Sequence, residues 1–296
     1  MLASPGRIPL GMTTFSSVRI TKFTERTQLQ AASTHALRMD SASRRRLRPG
    51  AQPGTAIAVS TRRADGVPSS DFVAMRDVAT AFDAHLARTG AKVGQGSGRM
   101  GFHAMVTVSP EWISADGEDP HSKGNKRNQE LLRGAVGWVE SWCGQGSVYC
   151  CRVDLDEEGA GVVDVFAAPT RPDGRSNTLR ISTSKALAEL RRAHRERMSF
   201  VALQSDWASY CQQHLDAQIR RGRPKAETRA EHLEVDEFKQ AATEASRRLH
   251  SAIERAERTR SELWELLDAA KAIEMTVQER NAMTFIEREA LERWKM

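Results

Sequence analysis

The sequence predicts an α+β fold: an antiparallel sheet flanked by helices, followed by a long helical C-terminal extension. Three observations carry this. Stretches of alternating polar and apolar residues recur through the first part of the chain, with helical spacing between them. The short link between RVDLDEEG and GVVDVF favours a hairpin and hence antiparallel pairing. From about residue 184 onward the pattern is almost wholly helical, giving the strands-then-helices order of an α+β protein.

Residues 1–15 read as a leader without the apolar centre of a signal peptide, and Met12 is a second candidate start. SSVRITKF (16–23) alternates Val18 and Ile20 with polar residues, as a half-buried strand does. Residues 26–39 read as a helix and the Arg-, Pro- and Gly-rich residues 40–54 as a loop. A helix near 70–88 is expected, then a flexible TGAKVGQGSGRMG. FHAMVTVS (102–109) reads as a strand. Leu132, Val136, Val139 and Trp142 recur at helical spacing, so a helix should span about 126–143, ended by Gly144 and Gly146.

SVYCCRVDL (147–155) reads as a strand with Tyr149, Cys151, Val153 and Leu155 on one face and Cys150, Arg152, Asp154 and Asp156 on the other. VVDVFAAP (162–169) returns beside it, and TLRIST (178–183) is a further strand, with Ser182 or Ser184 able to cap the next helix. In the last stretch Ile253, Leu263, Leu267 and Val277 fall near coiled-coil seam positions, with Arg260 and Glu274 interrupting them. The expected division is a leader (1–15), a main domain (16–240) and a helical tail (241–296).

The 296 residues, with 40% hydrophobic and 28% charged content, suit a soluble globular protein, and no apolar run is long enough for a membrane span. A cytoplasmic location is expected. Cys143, Cys150, Cys151 and Cys211 form no CxxC pair and read as small buried hydrophobes. The formal charge of +6 is concentrated in runs such as Arg44, Arg45, Arg46 and Arg48. Such a run suits a polyanion, because each neutralised phosphate releases counterions, or is simply a solvated face.

The acidic hairpin is the first candidate site. Asp154 and Asp156 lie two apart on one strand face. A two-residue turn would pair Asp156 with Val163 and turn Asp164 away. A three-residue turn would pair Asp156 with Asp164 and gather three carboxylates, suiting a hard ion such as Mg²⁺ or Mn²⁺. The alternative is a solvated charged turn. The second candidate is His35, three residues before Arg38, where a neutral imidazole beside a guanidinium could act at a phosphate. Helical histidines are more often structural. There is no HExxH motif, no P-loop, and no GxGxxG after a strand, so nucleoside triphosphate chemistry is not indicated. Tyr149 and Tyr210 are poor candidates for a nucleophile.

The order of these features resembles the plasmid mobilisation and recombination (Mob/Pre) relaxases over about residues 17–240. VRITKFTERTQLQAASTHALR is similar to that family's opening strand and His-x-x-Arg helix. AMVTVSPEWIS is similar to its Glu-Trp strand, here Glu111 and Trp112. NQELLRGAVGWVESWCGQGSVYCCRVDLDE is similar to the helix leading into its metal strand, and IRRGRPKAETRAEHLEVDEFK to a segment after the core. The resemblance implies a relaxase-type sheet flanked by helices. It also implies nicking of one DNA strand at an origin of transfer, in single-stranded or hairpin form, with a divalent metal and a helical histidine as nucleophile. It implies His35 as nucleophile and Arg38 as a phosphate or transition-state contact. Asp154, Asp156 and Asp164 would be metal ligands for Mn²⁺ or Mg²⁺, and Glu157 a supporting or base group. Arg44, Arg45, Arg46 and Arg99 would contact the DNA backbone, and the tail would serve a homodimer or another partner.

The sequence departs from the family at the metal signature, His-x-Asp-Glu followed by Thr-Pro-His-x-His. Asp154 stands at the first His, Asp156 and Glu157 match the Asp-Glu, and Gly159–Ala160 replaces Thr-Pro; if the turn carries one extra residue, Val162 and Asp164 stand at the paired histidines. Two readings follow: a site rebuilt from carboxylates, or a decayed site on a domain that only binds DNA.

Overall fold

A computed structural model describes residues 14–60, 77–94, 96–174, 176, 178–222 and 235–295. The chain divides into two compact units, Met1–Thr228 and Arg229–Met296.

In the first unit the described strands are β1 (Phe15–Lys22), β2 (Ala56–Ser60), β3 (Phe102–Val108), β4 (Val148–Asp154), β5 (Val162–Ala167), β6 (Thr170–Pro172), β7 (Leu179–Ile181) and β8 (Arg220–Arg221). Six of these form a sheet in the order β2-β4-β5-β3-β1-β8. Every neighbouring pair in it is antiparallel except β1 and β8. β6 and β7 form a separate two-stranded ribbon. The helices are α1 (Arg26–Ala36), α2 (Ser41–Arg45), α3 (Val78–Thr89), α4 (Pro110–Ile113), α5 (Lys126–Cys143), α6 (Thr183–Ala193) and α7 (Ser199–His214). The predicted class therefore stands: an antiparallel sheet flanked by helices. The second unit carries α8 (Val235–Trp294), the long C-terminal helix, on which Ile253, Leu263, Leu267 and Val277 are exposed.

The sheet separates two cores, because successive strand side chains point to opposite faces. Val106, Val108, Cys151, Val153, Val163 and Val165 meet α5 and α7 through Leu131, Trp138, Val139 and Trp207. On the other face Cys150 and Phe166 meet α1 and α3 through Leu29, Val78 and Phe82. All four cysteines are buried, and Cys150 and Cys151 fall in different cores as alternation requires.

Tyr149 departs from the expected alternation. The β4–β5 register shifts between Val148 and Cys150, and this bulge puts Tyr149 in the second core with Cys150 instead of beside Cys151. The expected 70–88 helix is found as Val78–Thr89; residues 61–76 lie outside the described ones. Strand β2, which the pattern did not reveal, pairs with β4, and the expected loop at 40–54 contains the short helix α2.

A candidate active site at the edge of the sheet

The second face of the sheet is apolar near Phe166 and becomes charged toward the open ends of β4 and β5. Arg152 is paired directly with Asp164 across these strands. That register matches neither turn considered above. β4 ends at Asp154 and β5 begins at Val162, so residues 155–161 form a wide connection. Asp164 nonetheless shares a face with Arg152 and Asp154, since the pairing preserves parity. Gly161 allows the chain to re-enter β5. Its φ is +74°, and a Cβ there would collide with the Val108 carbonyl.

The connection is strapped to the residues after α2. The Arg48 N–H donates to the Asp156 carbonyl at 2.8 Å, and the Glu158 N–H donates to the Arg46 carbonyl at 3.0 Å. The Arg48 guanidinium donates to the Leu155 carbonyl at 3.1 Å. Asp156 is thereby drawn off the strand and fully buried, away from the cleft. It accepts from the Gly54 N–H and from two nitrogens of Arg38.

Helix α1 brings His35 to the same place. Its C-terminus closes with Arg38 N–H to the His35 carbonyl and Met39 N–H to the Thr34 carbonyl, both at 3.0 Å. These are the bonds of a Schellman turn, which requires a left-handed residue just past the helix. Arg38 fills that position with φ 58°, where glycine is the usual choice. Arg38 is therefore outside the helix and does not share a helical face with His35, as the spacing had suggested. The turn sends its guanidinium inward, where its side chain is only 2% exposed. There it meets Asp154 at 3.1 Å, Asp156 at 2.6 Å and Glu157 at 2.7 Å.

His35 faces a cleft of about 170 Å³ bordered by Arg46, His103, Asp154, Glu157 and Asp164. Its Nδ1 lies 3.4 Å from Asp40 Oδ2, and its Nε2 lies 3.9 Å from Glu157 Oε1. Asp40 is held in turn by the Ser43 backbone N–H at 2.8 Å and the Ser43 hydroxyl at 2.9 Å. Burial lowers the His35 pKa, outweighing the opposing pull of Asp40. The lowered pKa favours the neutral ring, and a neutral ring with its proton on Nδ1 facing Asp40 would turn its Nε2 lone pair toward Glu157 and the cleft. Burial, followed by the charge of Asp154, pushes Glu157 up to about 7 despite its contact with Arg38. Glu157 is thus poised to hold or release a proton near neutrality.

The acidic groups are already matched by cations. The Arg152 Nε lies 3.1 Å from both oxygens of Asp154, and its Nη2 lies 2.7 Å from Asp164. The other oxygen of Asp164 is 2.7 Å from His103 Nε2. Asp164 is held well below the usual carboxylate range, because the attraction of Arg152 and then His103 overcomes its burial. Asp154, Asp156 and Asp164 do not converge as one ligand set, since Asp156 faces Arg38 and Gly54. Among the described residues no group of three or more His, Cys, Asp or Glu is disposed to hold a metal ion. The donor set does not fit the expected Mn²⁺ or Mg²⁺: a cation between Asp154 and Asp164 would meet a buried guanidinium already there.

Of the remaining expected residues, Arg46 lines the cleft, while Arg44, Arg45 and Arg99 do not. Arg46 is exposed and borders the cleft. Arg44 is exposed but turns its guanidinium onto the Arg38 and Met39 carbonyls. Arg45 is exposed, and Arg99 donates to the Thr24 carbonyl at 2.6 Å. Sequence reasoning missed Arg152, His103 and Asp40 as members of the site. Arg152 was legible in part, since it alternates with Asp154 on the same strand face. His103 and Asp40 enter only through strand pairing and the turn after α1.

No family model and no curated protein matches the chain. Among solved structures it is similar to the MobM relaxase domain (MOBV; Mob_Pre) bound to 22-nucleotide plasmid pMV158 oriT DNA in a Mn-bound crystal, at 17% identity and a TM-score of 0.49. That match covers 77% of this chain and 99% of the other. A second Mn-bound structure, with 22-nucleotide DNA and a 3′-thiophosphate, is similar at 17% identity and a TM-score of 0.49, over 77% of this chain and 98% of that one. The same domain on 26-nucleotide oriT DNA is similar at 16% identity and a TM-score of 0.42, over 76% of this chain and 99% of that one. The solved structures to which this chain is similar are therefore relaxase domains of the Mob_Pre type.

Proposed function

We propose that this chain is a plasmid mobilisation and recombination protein whose first unit binds one DNA strand at an origin of transfer and nicks it through His35. The observation that supports this most is the placement of the His35 imidazole, held between Asp40 and Glu157 at the mouth of a cleft. In this reading Nε2 attacks the scissile phosphorus and the bond from phosphorus to the leaving sugar oxygen breaks. The imidazole becomes cationic as the N–P bond forms, and Asp40 offsets that charge at Nδ1. Glu157, in its protonated form, donates its proton to the leaving oxygen and becomes the carboxylate. Arg38 acts from behind, fixing Glu157 and the His35 carbonyl. Arg44, Arg45, Arg46 and Arg99 supply contacts to the DNA backbone, in single-stranded or hairpin form. No step is assigned to a divalent ion, because the carboxylates that would hold it are paired with guanidinium groups. We also propose that α8 serves a homodimer, which would cover its exposed Ile253, Leu263, Leu267 and Val277.

The same guanidinium pairing supports a second reading, a DNA-binding module without nicking activity. A supercoiled plasmid carrying the cognate origin, incubated with protein in Mn²⁺ or in EDTA, separates the two. Relaxation that disappears in His35→Ala, with oligonucleotide binding retained, supports the nickase. Binding without relaxation in either buffer removes the nickase and leaves the module.

A further inference from the structure

We propose that the Arg152 guanidinium is a resident cation that excludes a divalent ion from the Asp154–Asp164–His103 corner of the cleft. The inference deepens the functional reading above and rests on it only for its consequence in catalysis.

The geometry behind it is local and complete. Strand alternation puts Arg152 and Asp154 on one face of β4, and register puts Asp164 of β5 opposite Arg152. His103 of β3, two positions from Met105, the residue paired with Asp164, lies on the same face and adds an imidazole from the next strand. Two carboxylates and an imidazole from three adjacent strands carry the oxygen and nitrogen donors that Mn²⁺ accepts, but with Arg152 among them they are not disposed as a ligand group. The Arg152 side chain is 4% exposed and sits among them, with its plane over Phe166 at 5.4 Å from the ring centroid. Its Nε and Nη2 are taken by Asp154 and Asp164, while Nη1 is buried with no hydrogen-bond partner among the described residues. A guanidinium buried in this way cannot shed its charge, so it offsets the two carboxylates permanently, and Arg38, 3.1 Å from Asp154, adds a second fixed positive charge beside them. An incoming dication would have to displace it or share its carboxylates, and charge repulsion opposes both.

Two consequences distinguish this from a dormant metal site. The intact protein should leave Mn²⁺ free, and removing the guanidinium should create the site. The test is electron paramagnetic resonance of added Mn²⁺, whose free-ion signal falls on binding, with circular dichroism to verify folding. Wild type and Arg152→Lys should leave the signal unchanged. Arg152→Ala or, should that variant misfold, Arg152→Gln should remove one equivalent of signal, and adding His103→Ala should restore it. One equivalent bound by wild type, or none bound by either folded Arg152 variant, overturns the proposal. These titrations contain no DNA, so they decide it even if no nicking is found. Where nicking is found, relaxation by wild type should persist in EDTA; strict dependence on Mn²⁺ overturns the proposal too.

Discussion

Arg38 and Asp156, 118 positions apart, form a two-point buried ion pair: Nε to Oδ2 at 3.0 Å and Nη2 to Oδ1 at 2.6 Å. The pair ties the turn after α1 to the connection between β4 and β5, so it fixes where His35 stands relative to Glu157. Arg38 holds a left-handed backbone to do so, at a cost of roughly 1–2 kcal/mol for a residue with a Cβ.

Arg38→Met should therefore be severe. It leaves Asp156, Asp154 and Glu157 without their shared cation, and breaking one side of a buried pair costs about 3–5 kcal/mol. Urea unfolding should show this loss. Arg38→Met combined with Asp156→Leu should recover part of it, because the most buried uncompensated charge is then gone. A loss no larger than that of an ordinary surface substitution would count against the central role given to this pair.

Gly161→Ala should also destabilise the fold. The left-handed backbone costs any other residue on the order of 1–3 kcal/mol, and the added Cβ has no room beside the Val108 carbonyl. A lower thermal midpoint and faster amide exchange in β5 are expected. Gly50→Ala makes a useful contrast, since its φ is also positive but nothing lies near the added Cβ. It should cost less.

His85 gives the fold a pH dependence of defined sign. It is fully buried on α3, and burial, then the charge of Arg88, lowers its pKa from 6.5 to about 4. The unfolded chain binds a proton there between those values and the folded chain does not. Stability from this group is complete above about 6.5 and is lost as pH falls toward 4, by about 3 kcal/mol in all. His85→Gln should flatten that part of the stability–pH curve measured by urea unfolding. An unchanged slope between pH 4 and 6.5 would exclude His85 as its source.

Asp40→Asn separates positioning of His35 from capping of α2. The amide oxygen can still accept from the Ser43 N–H, so stability should change by less than about 1 kcal/mol. Loss of the carboxylate beside Nδ1 should slow nicking by roughly 10²-fold under the proposed reading. DNA affinity should stay near that of wild type.

Arg46→Ala should weaken oligonucleotide binding and reduce its salt dependence. Loss of one phosphate contact lowers the slope of log K against log salt by about 0.7 for a single strand. The measurement is fluorescence anisotropy over a salt series. An unchanged slope would place Arg46 outside the DNA path.

The sequence by itself determined β1, β3, β4 and β5, most of the flanking helices and the long C-terminal helix, because these follow from local periodicity. The helix at Lys126–Cys143 ends at the predicted glycine, and β3, β4 and β5 lie within one or two residues of their predicted ends. The sequence also singled out His35 and the acidic hairpin as neighbours in chemistry. Only the tertiary structure decided what the acids do. A bulge moved Tyr149 to the other face, and a wide connection took Asp156 off the strand. The register set Arg152 against Asp164, and a left-handed turn aimed Arg38 inward. Each depends on pairing between residues far apart in the chain, where one position of slip reverses every side chain. A stretch that reads as a cage of carboxylates can therefore fold as carboxylates already closed on arginines.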